Sequence, residues 1–148
     1  MTITARPVAA SDLGALVAMR ARLYDDASAE ELADEAEQLV GPEPRWAAFI
    51  AEEDGQALGF VEVAMRSYAE GGPDAPAGYL EGIWVEPGAR RRGVAKILLA
   101  AAEKWARECG FTWLGSDARL ENAASQAWHG AAGFAEIERV VVYGKQLG

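Results

Sequence analysis

The sequence predicts a mixed α/β (α+β) fold, one sheet covered by helices, with the element order β-α-α-β-β-β-α-β-α-β-β. Three observations predict it. Asp54-Gly55 separates two apolar runs, the strongest short signal for a hairpin. An almost wholly apolar run over residues 79–85 reads as a central strand, buried on both sides. It leads through a basic, glycine-containing turn into an amphipathic helix, so strands and helices share one layered core.

The elements follow in order. Residues 3–6 alternate like a first edge strand, and Pro7 ends it. Ser11-Asp12 can cap a helix running to about residue 23. Ser28 and Glu31 have the spacing of a capping box and open a second helix, which Gly41-Pro42-Glu43-Pro44 stops. Residues 46–52 and 57–65 form the hairpin strands, and residues 66–78, with Gly71, Gly72, Pro73 and Pro76, form a loop. After the strand at 79–85 comes a helix over residues 94–109, with Ile97, Leu98, Ala101 and Trp105 on one face and Gly110 at its end. Residues 111–116 are a strand, 122–132 a short helix ended by Gly133, and 134–143 one or two closing strands.

At 148 residues, with no repeat or linker, the chain has the size of one domain, residues 1–148. Its 51% hydrophobic and 25% charged residues are those of a globular protein. No apolar stretch is long enough to span a membrane and no signal peptide is visible, so a cytoplasmic location is expected. One cysteine, Cys109, excludes an intrachain disulfide and reads as a buried thiol rather than a nucleophile. A single His with a single Cys makes no metal site. The net charge of -9 argues against nucleic acid, which requires a basic face. Acidity supplies solubility, or a field that draws in cationic ligands; composition does not choose.

The most specific segment is Glu86-Pro87-Gly88-Ala89-Arg90-Arg91-Arg92-Gly93-Val94-Ala95-Lys96. A turn leaving a strand and entering a helix gathers backbone amides at the positive end of the helix dipole, where an anion binds. Gly93 and Ala95 leave the approach open, and three arginines reverse the sign of an acidic chain. The competing reading is an exposed basic turn. The segment has neither P-loop spacing nor the three-glycine dinucleotide fingerprint.

Arg90-x-x-Gly93-x-Ala95 resembles the Gln/Arg-x-x-Gly-x-Gly/Ala motif of the GNAT N-acetyltransferases. The run from Asn122 to Gly133-Phe134 is similar to that family's Asn-helix-Gly-Phe segment. The resemblance implies a mixed, mostly antiparallel central sheet with helices on both faces. It implies acetyl-CoA as cosubstrate, with Arg90, Arg91, Arg92, Gly93, Val94, Ala95 and Lys96 at the pyrophosphate. It also implies that the backbone at Trp84 and Val85 pairs with the pantetheine, and that Asn122 reaches the CoA arm. The family often pairs subunits through its C-terminal strands, so a homodimer is expected.

Acetyl transfer from a thioester to an amine requires a deprotonated amine, a polarised carbonyl and a stabilised thiolate. Glu81 is the candidate base: an acidic residue inside an apolar strand is costly unless solvated or employed. Its alternative is a structural bond to backbone or a neighbouring arginine. Many GNAT enzymes carry a tyrosine four residues before the Gly-Phe as general acid to sulfur. Here His129 stands at that position, leaving His129, Tyr68 and Tyr143 as the groups available for the role.

Arg66-Ser67-Tyr68-Ala69-Glu70-Gly71, with Gly78-Tyr79-Leu80-Glu81-Gly82-Ile83, resembles the aminoglycoside 6'-N-acetyltransferase branch. So do Ser116-Asp117 and Glu136-Ile137-Glu138-Arg139-Val140. That resemblance implies a small cationic amine as acceptor, bound by Tyr24, Glu70, Tyr79, Glu81 and Asp117, with help from the Asp34-Glu35-Glu37 helix if that is not merely a solvated face. The alternatives are an acetyltransferase for a polyamine, amino acid or protein amine, and a non-catalytic acyl-CoA-binding module.

Overall fold

A computed structural model of the chain describes residues 2–41 and 45–148, so Pro42, Glu43 and Pro44 of the expected helix stop lie outside the described residues. The chain forms two compact units, Met1–Ser116 and Asp117–Gly148.

The first unit holds β1 (Thr4–Pro7), α1 (Leu13–Leu23), α2 (Ala29–Gln38), β2 (Trp46–Glu53), β3 (Gln56–Arg66), β4 (Ala77–Val85), α3 (Val94–Glu108) and β5 (Leu114–Ser116). The strands lie in the order β1-β2-β3-β4-β5. The first three pairings are antiparallel and β4 runs parallel to β5, as expected of a mixed, mostly antiparallel sheet. Asp54 (φ 51°) and Gly55 (φ 79°) both take left-handed backbone, the twist that a two-residue hairpin turn needs.

The pleat sorts the side chains. Ile50 pairs with Phe60 and Phe60 with Trp84, so these three share the face that packs on Leu16 and Met19 of α1 and Ala36 of α2. The opposite face lies under α3, whose Leu98 and Ala102 are fully buried. Helix ends follow local chemistry. Ser28 Oγ accepts from the Glu31 amide at 3.1 Å. Helix α3 exits through Gly110 (φ 86°), with Gly110 N bonded to Arg107 O and Phe111 N to Ala106 O, a Schellman motif.

Three expectations are corrected. Asp12 does not cap α1 with its side chain: a 3-10 turn, Ala10–Asp12, comes first, and Asp12 Oδ2 accepts instead from the Ala9 amide. Cys109 is exposed, because it occupies the C-cap of α3 where the helix leaves the sheet. The strand expected over 111–116 shortens to three residues, since Phe111 is committed to the helix exit.

In the second unit Asn122 caps α4 (Ala123–Ala131) by accepting from the Ser125 amide at 3.0 Å. The closing strands expected over 134–143 are absent among the described residues. Alternation alone does not make a strand, because a strand exists only in a ladder, and this segment has no strand partner among the described residues. Its Val140, Val141, Val142 and Tyr143 are exposed.

Candidate active site

The basic turn has the geometry of an anion cradle. Arg91 (φ 65°) and Gly93 (φ 80°) both adopt left-handed backbone between β4 and α3. For arginine that conformation costs about 1 kcal/mol, a strain that tends to mark functional turns. Gly93 is the N-cap of α3 and offers no side-chain cap, so the amides of Val94, Ala95 and Lys96 are left for a ligand. The donor set, backbone amides and guanidiniums at a helix N-terminus, fits the pyrophosphate of acetyl-CoA. Arg92 is tied to Glu53 at 2.6 Å, and Arg90 Nε donates to Val85 O at 3.3 Å.

Next to the cradle, β5 pairs with β4 only from Gly78 to Leu80. Within the first unit the β4 edge from Glu81 to Val85 therefore lacks a strand neighbour, the setting in which an extended ligand adds to a sheet. The Trp84 side chain is buried in the main core, with the Arg22 guanidinium 4.9 Å from its ring centroid.

Glu81 sits at an irregularity the sequence did not reveal. The β3–β4 register runs from Glu62↔Gly82 to Val63↔Leu80, so Glu81 is an extra residue in a β-bulge. Bulges re-aim side chains, often beside active sites. Glu81 is gripped by Arg66, with Nη2 at 2.8 Å from Oε1 and Nε at 3.1 Å from Oε2. This is the neighbouring arginine of the structural alternative. Arg66 in turn lies 3.4 Å above the centroid of the Tyr79 ring.

Beside Glu81 opens a cavity of about 380 Å³, lined by Arg20, Tyr24, Asp26, Ala27, Leu32, Glu35, Glu62 and Glu81. The sequence marked two of these for the acceptor, Tyr24 and Glu81, and mentioned Glu35 within its acidic helix. Tyr24 reaches the cavity because residue 82 is glycine: a Cβ there would lie 2.0 Å from the Tyr24 hydroxyl oxygen. Burial pushes the Tyr24 hydroxyl well above its usual pKa, and the charge of Glu62 adds to the shift.

Glu62 and Arg20 were missed. Arg20 Nη1 donates to Glu62 Oε1 at 2.7 Å, and both side chains are buried. Burial pushes the Glu62 carboxyl up to about 7, against the pull of Arg20. The signal was present: Glu62 stands between valines in an apolar strand, as Glu81 stands in its own strand. Arg20 follows Leu16 by one helical turn on the buried stripe.

Other candidates lie elsewhere. Tyr79 is not part of the cavity lining; it is buried with Ala69 and Ala77 because Gly115 and Arg66 close over its ring. Tyr68 and Glu70 are exposed on the loop after β3. In the second unit Asp117 is exposed, and Asn122 Oδ1 is occupied as a helix cap. His129 Nδ1 lies 2.7 Å from Ser125 O, one turn back. A carbonyl only accepts, so Nδ1 carries the proton of that bond. Trp128 and Phe134 both pack edge-on against the ring and lie tilted against each other. Among the described residues no cluster of His, Cys, Asp and Glu could hold a metal, and no helix is long and apolar enough to cross a membrane.

An anion cradle at a strand-to-helix turn, beside an open strand edge and an acidic cavity, is the layout of an acyl-CoA-dependent amine acyltransferase. The model of the acetyltransferase (GNAT) family matches residues 15–134, and the chain belongs to this family. It is 43% identical over 145 residues to an aminoglycoside N(6')-acetyltransferase type 1 of Klebsiella aerogenes, covering 96% of this chain and 95% of that one. It is also similar to two solved structures of the aminoglycoside N-acetyltransferase AAC(6')-Iy. The first, in complex with CoA, has a TM-score of 0.92 at 35% identity, covering 99% of this chain and 96% of that one. The second, in complex with the bisubstrate analog CoA-S-monomethyl-acetylneamine, has a TM-score of 0.93 at 34% identity, covering 99% and 100%.

Proposed function

We propose that this chain transfers the acetyl group of acetyl-CoA to the 6'-amine of an aminoglycoside, by direct attack of the amine in a ternary complex. The observation that carries the acceptor is the cavity beside Glu81, whose wall holds four carboxylates, Asp26, Glu35, Glu62 and Glu81, and a single guanidinium, Arg20. Such a wall takes a ligand bearing several ammonium groups, and the net charge of -9 steers it inward.

Each residue then has a chemical task. The Val94, Ala95 and Lys96 amides, with Arg90, Arg91 and Arg92, hold the diphosphate, and Gly93 keeps the approach clear. The β4 backbone at Trp84 and Val85 aligns the pantetheine arm. Acetyl-CoA supplies the activated thioester. Glu81, aimed by its bulge, receives the acceptor ammonium and takes its proton directly or through water. Arg66 holds that carboxylate in place until the ammonium arrives. Tyr24 forms a wall of the cavity, while Tyr79 supports Arg66 from beneath. Tyr68 and Glu70 have the exposure needed to meet a bound acceptor. Tyr68 is the candidate in the first unit to protonate the leaving thiolate.

The family match runs across the division between the two units, which supports one functional domain over residues 1–148. The exposed apolar run at Val140, Val141, Val142 and Tyr143 supports a homodimer through the C-terminal segment. A cytoplasmic location accords with the exposed free thiol of Cys109. The test is thiol release from acetyl-CoA with tobramycin, kanamycin, spermidine, lysine and a basic peptide. Release with the two antibiotics is expected; release with only spermidine, lysine or the peptide would replace the acceptor.

A further inference from the structure

Of the four wall carboxylates, Glu62 is the buried one, and the steps above give it no contact of its own with the acceptor. Glu62 lies on the α1–α2 face of β3, with Gly82 as its cross-strand partner and the bulged Glu81 beside it. It is 7% exposed, and Arg20 beneath it is 3% exposed. The pair is incompletely satisfied. Oε1 accepts from Arg20 Nη1 at 2.7 Å, whereas Oε2 receives no hydrogen bond among the described residues. Arg20 Nη2 stands 3.5 Å from Glu35, and its Nε is buried without a hydrogen-bond partner among the described residues.

For folding alone this arrangement is poor. A carboxylate has about four acceptor positions, and a buried ion pair gives little net stability over apolar residues of equal volume. The pair borders the acidic cavity and also a smaller one of about 140 Å³ beside Trp46, and Oε2, with no hydrogen bond among the described residues, is a ready acceptor for an N–H donor.

We propose that Glu62 is a specificity-determining residue of the acceptor site, whose Oε2 receives a second ammonium group of the acceptor, one that is not acetylated, while Arg20 holds Oε1. The proposal rests on the reading of this cavity as the amine site. Glu81 and Glu62 lie on adjacent strands one residue out of register, so their side chains start about 5–8 Å apart. An acceptor with two ammonium groups at comparable spacing engages both carboxylates, and a monoamine engages only Glu81.

The carboxyl level supports this geometry. The charged and titratable groups facing Glu62 are Arg20 and Tyr24 from α1, Asp26 from the following loop, Glu35 from α2 and Glu81 from β4. Only Arg20 favours the carboxylate form, so an arriving ammonium supplies the second positive charge. Binding then releases a proton near neutral pH, and preference for a polyamine strengthens as pH rises through about 7.

The experiment compares Glu62→Gln with the unaltered chain by steady-state kinetics on tobramycin and on a monoamine hexose bearing only the reacting amine. Tobramycin binding is measured in parallel by titration calorimetry. The variant is expected to raise the KM for tobramycin about ten-fold or more, as for loss of a hydrogen bond to a charged group, with kcat within about two-fold. Its monoamine kcat/KM should fall far less than its tobramycin kcat/KM, and its tobramycin preference should lose the rise with pH. Because Glu62→Gln leaves Arg20 buried and half-paired, the double variant Arg20→Met/Glu62→Leu, which removes both charges, is measured beside it. It too should lose tobramycin affinity. Equal losses on both acceptors, or undiminished tobramycin affinity in the double variant, would overturn the proposal. Failure of the acetylation reading is visible separately: the unaltered chain would then release no thiol with any amine, while calorimetry still decides the role of Glu62.

Discussion

Replacing Gly82 by alanine tests the acceptor cavity at its tightest point. The new Cβ would lie 2.0 Å from the Tyr24 hydroxyl oxygen, 3.0 Å from its Cζ and 3.1 Å from Leu23 Cδ2. Carbon atoms do not approach oxygen closer than about 3 Å, so the phenol must retreat by about 1 Å from the strand. Tyr24 is the residue that ends α1, its amide bonded to Arg20 O at 2.8 Å, so rotation at the side chain is the cheaper response. Overpacking of this size costs about 2 kcal/mol, which lowers Tm by roughly 4–8 °C in a chain of this length. The displaced ring also narrows the cavity, so the KM for tobramycin should rise about ten-fold while the KM for acetyl-CoA holds. A double-mutant cycle makes the cause specific. In a Tyr24→Phe background the atom at 2.0 Å is gone, and the destabilisation by Gly82→Ala should fall below about 1 kcal/mol. The same loss of stability in both backgrounds, or an unchanged tobramycin KM in Gly82→Ala, would refute the packing argument.

Three further outcomes concern the cradle and the charges, and a fourth the assembly. Gly93→Asp should lower CoA affinity about a hundred-fold or more by calorimetry, since a carboxylate replaces the diphosphate at the α3 amides; the fold should survive the cost of about 1 kcal/mol for placing aspartate in the left-handed backbone of residue 93, and retained affinity in the folded variant would remove the cradle. The folded-state carboxyl of Glu62, at about 7 against an ordinary 4.5, holds a proton that the unfolded chain releases. Its contribution is complete below pH 4.5 and is lost as pH rises to about 7, a change on the order of 3 kcal/mol, so urea melts of Glu62→Gln should lack this decline. Arg6 works in the opposite direction: its forks to Asp12 and Glu52 hold both carboxyls below their usual values. Stability from them is present above the ordinary carboxylate range and is lost as pH falls, so Arg6→Leu should flatten the acid limb of the stability curve, and an unaltered limb would contradict the assignment. Sedimentation should give twice the mass of one chain, and Val141→Asp with Tyr143→Asp should halve it; a single-chain mass for the unaltered protein would withdraw the dimer.

What was legible in the sequence was whatever local chemistry decides. Asp54-Gly55 can make little other than a left-handed two-residue turn, and Ser28 and Gly110 mark helix ends through hydrogen bonds that span only a few residues. The cradle at Arg90 to Lys96 was legible for the same reason, since it consists of consecutive residues. The acceptor site is different, because it is a product of register. Glu81 turns into the cavity through a bulge defined only by its pairing with β3, and Glu62 shares that wall because it sits opposite Gly82. Tyr24 enters by way of a missing Cβ on a strand far from it in sequence. No window of one chain contains those relations. The closing strands failed on the converse point: residues 134–143 have the alternation of a strand and no strand partner among the described residues. If the dimer supplies that partner, the missing strands and the exposed valines have one cause, and the unaltered chain should show more β-structure by circular dichroism than the Val141→Asp/Tyr143→Asp variant. Equal spectra from a dimeric protein would place its interface elsewhere.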